Sequence, residues 1–368
     1  MSSAELNDAD FDAVLAVLRS GRLALGSKSL EFETLMAQYV GVKHAITVSS
    51  GTAALHLLVR ALNIGEGDEV IVPSFTFAAS ANAVLYERAT PVFCEIETET
   101  YNLDPDDVRR RITPRTKAIM VVDVFGHPAE WDRLQAIADE YKLLLIDDSC
   151  EALGAEYRGR KIGSFGAAGA FAFYPNKQMT TGEGGIIVTH DDAVAAMCRS
   201  LRNQGRGQMS AWLEHENLGY NYRLDEMSAA LGVTQLQRLE SFLAKRAAVA
   251  QLYSARLADY DWVRVPVVRP QVRMSWFVYV VTLADGLDRD IVIKHMEERG
   301  VPARGYFFPT HLQPYVRRMF GTREGDLPVT ENIAKRTLAL PFHNNVTPEQ
   351  VDQVVVCLAE VVEGMKTG

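Results

Sequence analysis

The sequence predicts an α/β protein, with a mainly parallel central sheet covered by helices on both faces and a smaller C-terminal α+β domain. Three observations carry this reading. From about residue 45 to 190 short apolar runs alternate with helical patterns, the rhythm of a parallel sheet with crossover helices. Some of those runs, such as Leu143-Leu-Leu-Ile146 in Lys142-Leu-Leu-Leu-Ile-Asp147-Asp148, are continuously apolar up to their closing carboxylates, as strands covered on both faces are. After residue 225 the pattern turns helical and then gives a shorter mixed segment. With 368 residues the chain exceeds one small core, and it divides into an N-terminal helical segment (1–25), a large α/β domain (26–250) and a small α+β domain (251–368).

In chain order, Phe11, Val14, Leu15 and Leu18 fall on one helical face that ends near Gly21. The next stretch, Gly21-Arg-Leu-Ala-Leu-Gly26-Ser-Lys28-Ser29, nearly spells a phosphate-binding P-loop. It fails, because a serine separates Gly26 from Lys28 and a helix rather than a strand precedes it. Strands are predicted at 45–48, 69–72, 91–94, 118–123, 143–147, 168–174 and 185–189, with helices up to 62 and near 78–87 and 129–141. Two helical stretches follow from 227 to 257, then a strand at 276–282, a helix near 289–299 and a closing helix near 348–364.

A net charge of -9, with 23% charged and 48% hydrophobic residues, argues against nucleic acid or an anionic membrane as the main partner. The short basic run Arg109-Arg110-Arg111 reads as a solvated helix end. No apolar run reaches about 18 residues, and the first residues are polar and acidic, so a cytoplasmic protein without membrane contact is expected. The four cysteines form no C-x-x-C pair and the eight histidines no H-E-x-x-H, so neither a disulfide nor a metal site is expected.

The chemistry concentrates on three places. Lys177 follows an apolar strand-like run in Ala-Phe-Ala-Phe-Tyr-Pro-Asn-Lys-Gln-Met-Thr-Thr-Gly-Glu-Gly-Gly, the setting of a Schiff-base lysine. Asp148 ends a buried strand, and ligands of open α/β sheets gather outside the strands' carboxyl ends, where acid and lysine can meet. Pyridoxal phosphate needs this pair: an amine for its aldehyde and a carboxylate to keep its ring nitrogen protonated. Ser49-Ser50-Gly51-Thr52-Ala53 stands where a strand turns into a helix, which suits either an ordinary N-cap or a phosphate.

These motifs, with Phe32-Glu33, Gly67-Asp68-Glu69-Val70, Asp148-Ser-Cys-Glu151-Ala-Leu-Gly154, Gly219-Tyr-Asn221-Tyr-Arg223 and Leu340-Pro341-Phe342, run through nearly all of the chain. In this order they resemble the StrS/DegT group of nucleotide-sugar aminotransferases, which are pyridoxal-phosphate enzymes of fold type I, like aspartate aminotransferase. The resemblance implies that Lys177 holds the cofactor and shuttles a proton and that Asp148 pairs with the ring nitrogen. Phe77 would stack on the ring, with core packing as its other reading. Gly51, Thr52 and Ala53 would hold the phosphate, and Asn221 would reach it from a neighbouring subunit, which makes the active unit a homodimer.

Two positions depart from the family pattern. Ala172 stands where the family usually has a phosphate-binding serine, so one hydroxyl is missing. Glu151 stands near the cofactor's phenolic oxygen, where glutamine or histidine is common, and a glutamate there points to the perosamine-synthase-like branch. Thr180-Thr-Gly-Glu-Gly-Gly185, Tyr306-Phe-Phe-Pro-Thr-His311-Leu-Gln-Pro and Leu338-Ala-Leu-Pro-Phe-His-Asn-Asn345 point the same way. His311 is a candidate for sugar or pyrophosphate, with a structural role as its alternative. Arg223 and Arg304 are candidates for the anionic groups of glutamate or nucleotide, with surface ion pairs as theirs. The resemblance implies amino transfer from L-glutamate to a 4-keto-6-deoxy sugar on a nucleoside diphosphate. Rivals are a 3-keto sugar or cyclitol ketone as acceptor, and a cofactor-binding regulator without turnover. Sugar 3-dehydratase relatives carry histidine where this chain has Lys177.

Overall fold

A computed structural model describes residues 4–207 and 214–367. Its centre is a seven-stranded sheet in the order His44–Val48, Gly185–Thr189, Ala168–Ala172, Leu144–Asp148, Thr116–Val122, Glu69–Pro73, Thr90–Cys94. All neighbours are parallel except at Gly185–Thr189, which is antiparallel to both of its partners. This reversal matters for the site. An antiparallel strand begins at the edge where its parallel neighbours end, so Gly185 lies opposite both Val48 and Ala172. A Cβ at Gly185 would stand 2.4 Å from the Ser50 carbonyl oxygen, so only glycine lets the backbones come this close.

The strand interiors are buried, and the helix Gly51–Ala61 is buried along most of its length (Gly51 and Ala53 through Val59) because it lies between the sheet and its neighbouring helices. That placement explains its nearly unbroken apolar sequence. Two predicted strands are shorter than expected. The run 168–174 leaves the ladder after Ala172, and 276–282 joins its sheet only at Tyr279. In the second case the carbonyls of Trp276 and Phe277 are taken by the Arg246 guanidinium, both at 3.1 Å, rather than by a strand.

The N-terminal helix Asp8–Ser20 starts in a capping box on Asn7 and ends at Gly21 with φ 69°. Its apolar face is not the buried one: Phe11, Leu15 and Leu18 are exposed, while Asp10 and Val17 are buried. Asp10 turns toward the helix Glu226–Gln237 and accepts from Thr234 (2.5 Å), Gln235 (3.2 Å) and Arg238. Burial alone would raise this carboxyl, yet the hydrogen bonds and the Arg238 charge hold it below the usual carboxylate range.

The near-P-loop opens a helix, Ser27–Val40, that periodicity did not reveal. An anion does sit at its N-terminus, but it belongs to the protein. The Glu226 carboxylate accepts from Lys28 N at 2.7 Å, Ser29 N at 3.1 Å and Ser29 Oγ at 2.5 Å. A Cβ on Gly26 would stand 2.4 Å from Glu226 Oε2, so the glycine exists to admit the carboxylate.

C-terminally, the strands Val263–Arg264, Tyr279–Leu283, Thr337–Leu340 and Arg304–Gly305 form an antiparallel sheet. Its core joins Tyr253, Tyr279, Val281, Met296, Leu338 and Leu358. The helix Leu239–Leu257 contributes to this core and, through Leu239 and Leu243, to a core of the larger sheet. Among the described residues no helix is long and apolar enough to cross a membrane.

Candidate active site

A cavity of about 490 Å³ opens at the carboxyl edge of the large sheet, lined by Gly51, Thr52, Phe77, Asp148, Glu151 and Lys177 among others. The fold brings them together simply. Asp148 is the last residue of its strand, Gly51 and Thr52 follow the His44–Val48 strand, and Lys177 lies five residues beyond the end of Ala168–Ala172.

Lys177 Nζ lies 3.8 Å from the centroid of the Phe277 ring and 3.9 Å from Glu151 Oε1. Its loop is fixed from both sides of the peptide: Lys177 N donates to Tyr174 O at 2.9 Å, and Lys177 O accepts from Arg246 Nη2 at 3.0 Å. Because the same guanidinium binds the carbonyls of Trp276 and Phe277, it also places the ring beneath the amine. Arg246 is buried, and burial pulls it down to about 10.

Glu151 is buried, and burial raises its carboxyl above the usual range although the Lys177 charge and the Phe125 N–H act against the shift. Its Oε2 accepts from Phe125 N at 2.9 Å, leaving Oε1 on the lysine side. The neighbouring Cys150 thiol is pushed well up by burial and then by the Asp148 charge, so it is no thiolate nucleophile.

Asp148 is 4% exposed. Its Oδ2 accepts from Ser80 Oγ at 2.6 Å and its Oδ1 from Cys150 N at 3.3 Å, and among the described residues no Lys or Arg forms an ion pair with it. A buried carboxylate without a cation is costly, so its remaining acceptor capacity calls for a positively charged donor.

At the helix start, Ser50 caps Ala53 N at 3.1 Å, while the N–H groups of Gly51 and Thr52 have no partner among the described residues. Gly51 presses on the neighbouring strand: a Cβ there would stand 2.6 Å from Ala172 Cβ and 3.0 Å from Cys150 Sγ. Two open donors at a helix N-terminus form a phosphate cradle. On the same wall Asn176 Oδ1 is buried without a partner. The donor pair, the cation-free carboxylate, the amine and the exposed Phe77 ring (66%) match the parts of pyridoxal phosphate, so the residues present fit that group.

The other sequence candidates lie elsewhere. Ala53 does not line the cavity, since its side chain is buried and its N–H is spent on Ser50. Asn221 is exposed and its backbone bridges to Asn203, away from the cavity of its own chain. Arg223 donates to Asn203 Oδ1 at 2.9 Å. Arg304 pairs with Glu297 on the surface and donates to Ala303 O at 2.8 Å. His311 is fully buried, with Nδ1 2.6 Å from Ser74 Oγ and Nε2 3.1 Å from Glu331 Oε1. Burial lowers its pKa, although the Glu331 hydrogen bond opposes the shift.

The chain matches a family model described as the DegT/DnrJ/EryC1/StrS aminotransferase family over residues 4–359. It is 42% identical to a GDP-perosamine synthase of Caulobacter vibrioides over 343 residues, 92% of this chain and 91% of the relative. It is 39% identical to a dTDP-3-amino-3,4,6-trideoxy-alpha-D-glucose transaminase of Streptomyces venezuelae over 358 residues, 96% of this chain and 93% of that one. A solved Helicobacter pylori structure, PseC, an aminotransferase involved in the biosynthesis of pseudoaminic acid, superposes with a TM-score of 0.94 at 30% identity and covers 99% of this chain and 98% of its own.

Proposed function

The chain belongs to the DegT/DnrJ/EryC1/StrS aminotransferase family and is a pyridoxal-phosphate-dependent aminotransferase, and on that premise we propose that it moves an amino group from L-glutamate to a 4-keto-6-deoxy sugar carried on a nucleoside diphosphate. The observation that carries this reading is the convergence of Lys177, Asp148 and the open N–H groups of Gly51 and Thr52 on one cavity. The acceptor rests on the likeness to GDP-perosamine synthase and on Glu151 beside Lys177. The functional unit we propose is a cytoplasmic homodimer in which Asn221 serves the partner's cavity. This accounts for its exposure on a segment flanked by the stacked rings of Tyr220 and Tyr222.

When bound, pyridoxal phosphate supplies an electrophilic carbonyl carbon and a ring that accepts electron density. The protein then has three tasks. Gly51 and Thr52 anchor the phosphate through backbone N–H groups, and Asp148 holds a proton at the ring nitrogen. Lys177 Nζ, at the cavity wall over Phe277, holds the cofactor and carries a proton to and from the reacting carbon. Glu151 is the nearest carboxyl to that amine among the described residues, and burial raises its pKa, so it holds a proton more readily than an exposed glutamate.

The test is the absorption spectrum of the protein with added pyridoxal phosphate, before and after L-glutamate, followed by assay of 2-oxoglutarate release with 4-keto and 3-keto nucleotide sugars. The expected result is a visible band lost to the near-ultraviolet on glutamate, with release driven by the 4-keto sugar and abolished in Lys177→Ala. Because one relative is named for a 3-amino product, release driven only by the 3-keto sugar would move the acceptor carbon. A spectrum indifferent to glutamate would remove the donor.

A further inference from the structure

We infer that Ser80, backed by Thr76, is the positioning residue that aims Asp148 at the cofactor's ring nitrogen; this rests on the cofactor reading above. Ser80 lies in the first turn of the helix Ala79–Tyr86 and is 1% exposed, and both Ser80 and Thr76 line the cavity. Ser80 Oγ lies 2.6 Å from Asp148 Oδ2 and 3.0 Å from Thr76 Oγ1. An ionised carboxylate can only accept, so the Ser80 proton points at Asp148. Ser80 Oγ also stands 3.3 Å from Phe77 O, too long to compete with the anion for its one proton, so the 3.0 Å contact is completed by Thr76 donating to Ser80. The direction of the chain is therefore fixed as Thr76 to Ser80 to Asp148, and each bond polarises the next. A separation of 2.6 Å is that of a hydroxyl bound to an anion.

The other hydrogen bond to the Asp148 carboxylate among the described residues, from Cys150 N, is long at 3.3 Å, so the serine is the stronger restraint on the carboxylate's rotation. The segment that carries the two hydroxyls also carries Phe77, exposed on the cavity wall between them in sequence. One short stretch thus sets both the face and the nitrogen edge of the ring slot. It is held in turn by the C-terminal half of the chain, since Thr310 Oγ1 donates to Thr76 O at 3.1 Å and Thr310 N to Ser74 O at 2.8 Å.

The experiment compares the affinity of the cofactor-stripped protein for pyridoxal phosphate and for the analogue whose ring nitrogen is replaced by carbon, in wild type, Ser80→Ala and Ser80→Thr. A charge-assisted hydrogen bond lost from the carboxylate should weaken pyridoxal phosphate by about tenfold in Ser80→Ala and leave the analogue within about twofold, with Ser80→Thr recovering most of the loss. Equal weakening of both ligands would make Ser80 a structural residue and overturn the inference, as would no weakening of either. If Ser80→Thr is too bulky to fold, Ser80→Ala alone decides through the two ligands. A wild-type protein that binds both ligands equally would instead refute the pairing of Asp148 with the ring nitrogen, a failure of the underlying reading that the serine variants cannot mimic.

Discussion

Two helix N-termini in this protein start from the same chemistry and reach opposite ends. At Ser27–Val40 the free N–H groups of Lys28 and Ser29 are closed by the Glu226 carboxylate, and Gly26 makes room for it. At Gly51–Ala61 the donors of Gly51 and Thr52 stay open, and Gly51 makes room for a neighbouring strand instead. Both helices begin in a stretch of glycine and hydroxyl residues, Gly26-Ser-Lys-Ser29 and Ser49-Ser-Gly-Thr52, and both helix dipoles favour an anion. A helix start is therefore a phosphate site only where the protein withholds its own carboxylate.

The comparison breaks most sharply at Gly51. Gly51→Ala drives a Cβ against Ala172 and Cys150 and should weaken pyridoxal phosphate by about a hundredfold, with Ala172→Gly in the same chain restoring part of the loss in a fluorescence titration. An affinity unchanged by Gly51→Ala would mean that the phosphate is held elsewhere.

Glu226→Gln tests the plugged helix. Losing charge on three hydrogen bonds should cost about 2 kcal/mol in urea unfolding and leave cofactor affinity untouched. Burial would raise this carboxyl, but Ser29, Lys28 and Gly26 hold it below its usual range. A depressed folded pKa gives stability that is present above the unfolded pKa and lost as pH falls through the folded one. The gap between wild type and Glu226→Gln should accordingly close on acidification, and a gap that persists in acid would show that shape rather than charge provides the cap.

The smallest effect is expected at Ala172. Ala172→Ser adds a hydroxyl beside the open donors and should tighten pyridoxal phosphate a few-fold, below about 1 kcal/mol. No change would mean that the two N–H groups already suffice.

What was legible in the sequence follows from where residues stand on elements. Asp148 ends a strand, Gly51 starts a helix and Lys177 follows a strand by a short loop, and the strand pattern is clear enough to bring all three to one sheet edge. The partners of Arg223, Arg304 and His311 were not legible, because a lone polar residue settles on whatever tertiary partner it meets: Asn203, Glu297, and the Ser74 and Glu331 pair. The exposed face of the first helix was misleading for the same reason, since Asp10 found a buried set of donors on the other side. Ser80 and Thr76 left no signal beyond small hydroxyls in an ordinary stretch. Arg246 did leave one: it stands on the buried face defined by Phe242, Val249 and Tyr253, and a cation on such a face needs acceptors that no local pattern supplies.

That guanidinium also sets the order in which the site is completed. A chain still growing at the ribosome already holds Gly51, Asp148 and Lys177 once the first half has emerged. The lysine carbonyl must wait for Arg246, and the amine must wait for Phe277. The cavity wall around Lys177 is thus finished only after most of the polypeptide has been made and the later segment has docked.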